Sequence, residues 1–172
     1  FLDKSQTLGI WLKNSNSSLI DGTEFLDIEG DWEKAAAIYI ENSNPTIKNS
    51  TFRNNKIGIW IESAASPSVE NNNFEDNELA IKTFTLLPTF SGNTAQNNDF
   101  NGILVSGFGF SDQKNQIDWQ KANLPYIFES YATIAAGRTL NIKPGVVIQF
   151  KSGASFYIDG TLRAEGSENE KI

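Results

Sequence analysis

An all-β fold, a single-stranded parallel β-helix with coils of about 22 residues, is what the sequence predicts. Three observations lead there. The stretch "NPTIKNSTFRNN" at 44–55 is followed 22 residues later by "SPSVENNNFEDN" at 66–77, which keeps Pro, a branched apolar residue, Asn and Phe in place and changes most other letters. A short apolar alternation recurs along the chain, as "GIWL" at 9–12, "AIYI" at 37–40, "GIWI" at 58–61, "AIKT" at 80–83 and "GILV" at 102–105. Period-two alternation, β-branched residues and Asn-rich bends indicate strands, and the i, i+3, i+4, i+7 spacing of a helical repeat is missing.

The first stretch, 1–106, is organised around Phe25, Phe52, Phe74 and Phe100, spaced by 27, 22 and 26 residues. Ile20, Ile47, Val69 and Ala95 each stand five residues before a Phe. Three short strands per repeat describe a coil that turns three times and then stacks on itself, with equivalent residues one strand spacing apart, about 4.8 Å. The Phe series is expected to form one internal file. Asn tolerates the left-handed backbone of a sharp bend, so Asn49, Asn71 and Asn97, with Gly22, are expected in one bend column whose amides bond along the stack. Inward Ile10, Ile38, Ile59, Ile81 and Ile103 leave Trp11, Tyr39, Trp60, Lys82 and Leu104 pointing out.

The pattern breaks after Val105. Residues 107–125, rich in Gly, Asp, Asn and Gln, read as a linker or long loop. A second stretch, 126–172, repeats Leu140 and Ile142 as Leu162 and Ala164 and has glycines at its corners. It either stacks on the earlier coils or starts a stack of its own.

Composition narrows the chemistry. The 172 residues include no Cys, Met or His. With no Met, a mature product or a piece of a longer protein is expected. Without His or Cys, Ser-His-Asp and Cys-His catalysis and thiolate metal sites are excluded within this chain. A net charge of −7 disfavours a nucleic-acid partner. The lack of an 18-residue apolar run argues against membrane insertion.

"GRTLNIKPGVVIQFKSGASFYIDGTLRAEGS" at 137–167 resembles the opening coils of secreted bacterial right-handed parallel β-helix repeat proteins, the pectate-lyase-like superfamily, and "NPTIKNSTFRNNKIGIWI" resembles their recurring coil. The resemblance implies right-handedness, as does the general preference of parallel crossovers, and it implies a secreted or cell-surface location. It transfers no catalytic residue. The arginines are Arg53, Arg138 and Arg163, and no Arg-x-Pro-x-x-Arg signature is present. The Asn-Thr-Asp, paired Asp, Gly-His-Gly and Arg-Ile-Lys elements of the related hydrolases are absent too.

Two groups of residues are site candidates. Trp11, Tyr39 and Trp60, with Lys82 beside them, form an outward stripe suited to sugar rings or a protein partner. The bland alternative is that the inserts near 26–36, carrying Trp32, and near 84–93 cover it. Glu41 and Glu62 follow equivalent strands one coil apart, close to the carboxylate spacing of a retaining glycosidase, with Lys13 in the same column; they are the weak catalytic candidates. No cofactor is expected. Calcium at bend acids such as Asp27 and Asp76 lacks the oxygen-rich spacing it needs.

The expected function is a non-catalytic β-helix module presenting an aromatic face to a polysaccharide or another protein. A structural spacer in a larger extracellular protein and a fragment of a polysaccharide lyase or glycoside hydrolase are the alternatives. Cut strand edges invite end-to-end self-association.

Overall fold

Triplets of short strands, each triplet one coil, build the protein. A computed structural model describes residues 8–30, 34–109 and 115–172. The strands are β1 (Ile10–Lys13), β2 (Leu19–Asp21) and β3 (Glu24–Leu26); β4 (Ile38–Glu41), β5 (Thr46–Lys48) and β6 (Thr51–Arg53); β7 (Ile57–Ile61), β8 (Ser68–Glu70) and β9 (Asn73–Glu75). They continue with β10 (Leu79–Thr83), β11 (Thr89–Ser91) and β12 (Thr94–Gln96); β13 (Phe100–Val105), β14 (Phe108–Gly109) and β15 (Gln116–Trp119). The last six are β16 (Tyr126–Phe128), β17 (Tyr131–Ile134), β18 (Thr139–Ile142), β19 (Ile148–Phe150), β20 (Ser155–Ile158) and β21 (Thr161–Ala164). Every pairing is parallel and joins a strand to its equivalent in the next triplet.

One seven-stranded sheet, β1-β4-β7-β10-β13-β16-β19, runs through all the triplets. The other two faces change partway. Over the first four triplets they are β2-β5-β8-β11 and β3-β6-β9-β12; over the last three they are β14-β17-β20 and β15-β18-β21. The segment expected as a linker, 107–125, therefore carries β14 and β15. The two stretches share one continuous sheet, and Leu140 stands over Leu162 and Ile142 over Ala164 as the repeat implies.

The internal file begins as expected and ends differently. Phe25, Phe52 and Phe74 are in register, with ring centroids 5.0 and 4.8 Å apart and planes within 10°. The next member is Ala95, which pairs with Phe74. Phe100 pairs instead with Leu79 on the seven-stranded sheet, where the register shifts. Ala95 does not continue the Ile20-Ile47-Val69 column either, because Phe90 pairs with Val69. A large residue moved from the third face to the second, so the tube keeps its filling while the letters change column. Gly58 makes room for the rings: a Cβ there would lie 2.8 Å from Phe74 Cδ1 and 2.6 Å from the Ala80 carbonyl oxygen.

The expected bend column divides into two, and a further left-handed pair, Asn14 and Asn42, follows the first face. Gly22, Asn49, Asn71 and Gly92 follow the second face; Asp27, Asn54, Asp76 and Asn97 follow the third, all with φ between 52° and 62°. Asn97 thus belongs to the second column. On the exposed bends Asn49 Nδ2 donates to Asp21 Oδ1 of the preceding coil at 2.8 Å; the buried amides that ladder through the stack stand one residue later. Asn72, Asn93, Asn55, Asn77 and Asn98 are buried. In one ladder Asn55 N–H donates to Asn77 Oδ1 (3.0 Å) and Asn77 N–H donates to Asn98 Oδ1 (2.9 Å). The Nδ2 groups of Asn55, Asn77 and Asn98 donate to the carbonyls of Phe25, Phe52 and Phe74. Asn101 Oδ1 closes this ladder by accepting from Asn98 N–H at 3.0 Å. The parallel ladder Ser50-Asn72-Asn93 uses the same bonds. Each amide matches one donor and one acceptor that a bend would otherwise bury unpaired.

Candidate functional site

The outward face of the seven-stranded sheet holds both groups of predicted residues, because a strand residue and its partners in neighbouring coils project side by side. Trp11, Tyr39, Trp60, Lys82, Leu104, Ile127 and Gln149 form one register column. The expected flat aromatic platform is not what they make. Trp11 is 49% exposed, whereas Tyr39 and Trp60 are 1% and 6% exposed. Tyr39 meets Trp11 edge-on at 88° and Trp60 at 44°. A small outer cluster of Ala36, Tyr39, Ile57 and Trp60 is packed by Leu8, Leu79 and Phe84. Phe84, from the predicted insert, stacks on Trp60 at 5.6 Å, so that insert covers part of the stripe. Trp32, named as a second cover, lies outside the described residues. Lys82 takes the predicted place, its Nζ 4.5 Å from the Trp60 ring and 5.4 Å from Phe84.

Glu41 and Glu62 do follow equivalent strands, and each is engaged. Lys13, over Glu41 in the register, places its Nζ 2.9 Å from the Glu41 carboxylate. This ammonium holds the Glu41 carboxyl below its ordinary range, and the Trp11 indole adds to the effect. Glu62 accepts from the Tyr39 hydroxyl at 2.7 Å and from Trp60 Nε1–H at 3.2 Å. The Tyr39 hydroxyl also accepts from Lys34 Nζ at 2.6 Å, and Lys34 Nζ stands 3.7 Å from Glu62. Burial first, and Glu62 second, push the Tyr39 phenol far above its usual range, so it stays a donor.

These groups border a cleft of about 390 Å³ lined by Lys34, Tyr39, Glu41, Asn42, Glu62 and Ser63. The structure therefore brings Tyr39, Glu41 and Glu62 to one place with Trp11 beside Tyr39, and leaves Lys82 on the far side of Trp60. Sequence reasoning missed Lys34, Asn42 and Ser63. The latter two could have been found, since each directly follows a predicted Glu. Lys34 comes from an insert with no periodicity to place it.

The cleft offers hydroxyl, amide, carboxylate and ammonium groups beside an exposed indole. Asp27 and Asp76, weighed for calcium, occupy left-handed bend positions, and Asp27 accepts from Asn54 Nδ2 at 2.5 Å.

Residues 2–136 match the family described as "Right handed beta helix region". In comparisons with curated proteins and with solved structures, nothing matches the chain. The family match spans well over half of the 172 residues and agrees with the parallel coil-on-coil register, so the chain belongs to the right-handed β-helix family.

Proposed function

We propose that the chain is a non-catalytic carbohydrate-binding module of a secreted or surface-attached protein, with its site at Trp11 and the adjoining cleft. The observation that carries this reading is an exposed indole next to a polar cleft of about 390 Å³. A sugar ring lays its C–H face on an indole, and converging polar side chains fix its hydroxyls. Glu41, Glu62, Asn42 and Ser63 supply acceptors and donors; Lys13 and Lys34 add cations that suit a carboxylated or sulfated sugar. Catalysis is the weaker reading. A general acid needs a raised pKa, and Glu41 is shifted down by Lys13.

The test is affinity electrophoresis through gels containing a panel of neutral and acidic polysaccharides. The expected result is retardation by at least one glycan, reduced in Trp11→Ala and in Glu62→Gln. Equal mobility of parent and variants on every glycan would leave the second reading, a rigid spacer, which the burial of Tyr39 and Trp60 favours.

A further inference from the structure

The second face of the last three triplets carries two exposed rings of its own. In β17 and β20, Ala132 and Phe156 pack into the core, so their neighbours Tyr131, Thr133, Ser155 and Tyr157 project outward. The register sets Tyr131 beside Ser155 and Thr133 beside Tyr157. The tyrosines thus hold one diagonal of a square, and Ser155 and Thr133 hold the other. Tyr131 is 64% exposed and Tyr157 is 59% exposed. Their ring centroids are 6.2 Å apart and their planes meet at 75°, so one ring offers a face where the other offers an edge. The bend before β14 carries Gly107, whose N–H donates to Ser130 Oγ at 3.0 Å, and no side chain rises there.

The charges around this square narrow the ligand. No lysine or arginine stands on β14, β17 or β20. Two acids flank the strands: Glu129, which accepts from the Ser106 hydroxyl, and Asp159. On a chain of net charge −7, such a surface repels an anionic ligand. The four corners themselves are hydroxyl-bearing side chains without a carboxylate or ammonium, and two of them are aromatic. They match a ligand that is uncharged, rich in hydroxyls and apolar on one ring face. Size separates a sugar from a protein partner. An aromatic side chain buries roughly 150–250 Å² when fully covered, so at these exposures the pair supplies about 200–300 Å². A stable protein interface needs about 800 Å² from each side.

We propose that Tyr131 and Tyr157 form a second glycan contact, for an uncharged polysaccharide, on the face that follows the long sheet. A pyranose ring lays its C–H face on one tyrosine, and its hydroxyls meet the phenol of the other together with Thr133 and Ser155. Unlike the Trp11 cleft this contact contains no ion pair, and it stands whether or not that cleft binds sugar.

The experiment is photochemically induced nuclear polarisation on the whole chain, which enhances proton signals of solvent-exposed aromatic rings. Of the four tyrosines, Tyr39 and Tyr126 are 1% and 4% exposed, so the tyrosine signals report Tyr131 and Tyr157. The probes are hexasaccharides of cellulose, mannan and xylan, with hexagalacturonate as the charged control. At least one neutral hexasaccharide is expected to suppress the tyrosine signals saturably, and hexagalacturonate is not. Tyr157→Ala, at an exposed side chain, is expected to weaken the affinity read from Tyr131 about ten-fold, with circular dichroism unchanged. Trp11→Ala should leave it unaltered. The proposal is overturned if no neutral hexasaccharide suppresses the signals, if Tyr157→Ala binds as the parent does, or if hexagalacturonate suppresses them equally. It is also overturned if Trp11→Ala abolishes the suppression, which would return the sugar to the Trp11 cleft. Tyrosine signals that grow on dilution, without any response to sugar, would assign the face to a second copy and likewise overturn it. Failure of the Trp11 reading is a separate result, read from the gel mobility of Trp11→Ala.

Discussion

Asn77→Ala tests the ladder on which the coil stacking depends. Asn77 is 3% exposed and its side chain makes four hydrogen bonds. Its Oδ1 accepts from Asn55 N–H and Asn55 Nδ2, both at 3.0 Å. Its Nδ2 donates to the Phe52 carbonyl at 3.0 Å and to Asn98 Oδ1 at 2.7 Å. Alanine removes all four and leaves the Asn55 backbone N–H buried without this partner. At about 1 kcal/mol for each net hydrogen bond, the loss is about 4 kcal/mol, a large fraction of the stability of an ordinary domain. The comparison variant is Asn71→Gly, on the exposed bend with φ 53°. Glycine accepts that backbone freely, so the expected change is about 0.5 kcal/mol or less. Urea unfolding followed by circular dichroism measures both midpoints. Amide exchange at Asn55 and Ser50 then shows whether the loss is local to the third-face bend, since solenoids transmit stability mainly between neighbouring coils. The reasoning fails if Asn77→Ala and Asn71→Gly shift the midpoint equally, or if Asn55 keeps the parent's exchange rate in Asn77→Ala.

Three further predictions concern the file of rings and the pH dependence. Phe52→Ala opens a gap between Phe25 and Phe74 and is expected to cost about 3–5 kcal/mol by urea titration; Gly58→Ala, forced against Phe74 and the Ala80 carbonyl, is expected to cost about 1–3 kcal/mol by the same measure. Glu41 and Asp21 both titrate below their ordinary values in the folded chain, Glu41 because of Lys13 and Asp21 because of the Asn49 amide and then Lys48. A carboxylate whose folded pKa is depressed stabilises the fold above its unfolded value, about 4, and that contribution is lost as pH falls through the lower folded value. Urea midpoints measured from pH 6 down to pH 3 should therefore fall less in Asp21→Asn and Glu41→Gln than in the parent; parallel profiles would show that these pairs do not anchor the first coil.

Much of the fold was legible in the letters, because stacking imposes a one-dimensional rule. Residues about 22 apart share an environment, so Phe52 and Phe74, or Leu140 and Leu162, declare their register without any knowledge of distance. The same rule misled where a repeat kept its volume and moved its residue. Phe100 satisfied the spacing, yet the tube needed only a large side chain nearby, and Phe90 supplied it from the neighbouring face. The Asn columns show a related ambiguity. Adjacent asparagines at 71–73 look alike in sequence, and only the backbone decides that Asn71 takes the exposed bend while Asn72 turns inward to the ladder.

What the sequence determined by itself is the parallel coil, its repeat length, the inward isoleucines and the outward column that contains Trp11, Tyr39 and Trp60. These follow from local alternation and from periodicity, which each coil enforces on the next. Tertiary structure alone decided which outward residues meet solvent. The letters set the inserts near 26–36 and 84–93 beside the stripe, but inserts obey no repeat, so the letters did not decide that Phe84 would be the residue to lie on Trp60, that Lys34 would reach Tyr39, or that two faces of the tube would change strands while the third ran on unbroken. Exposure is settled by whatever packs from outside the stack, and a repeat records only the contacts made within it.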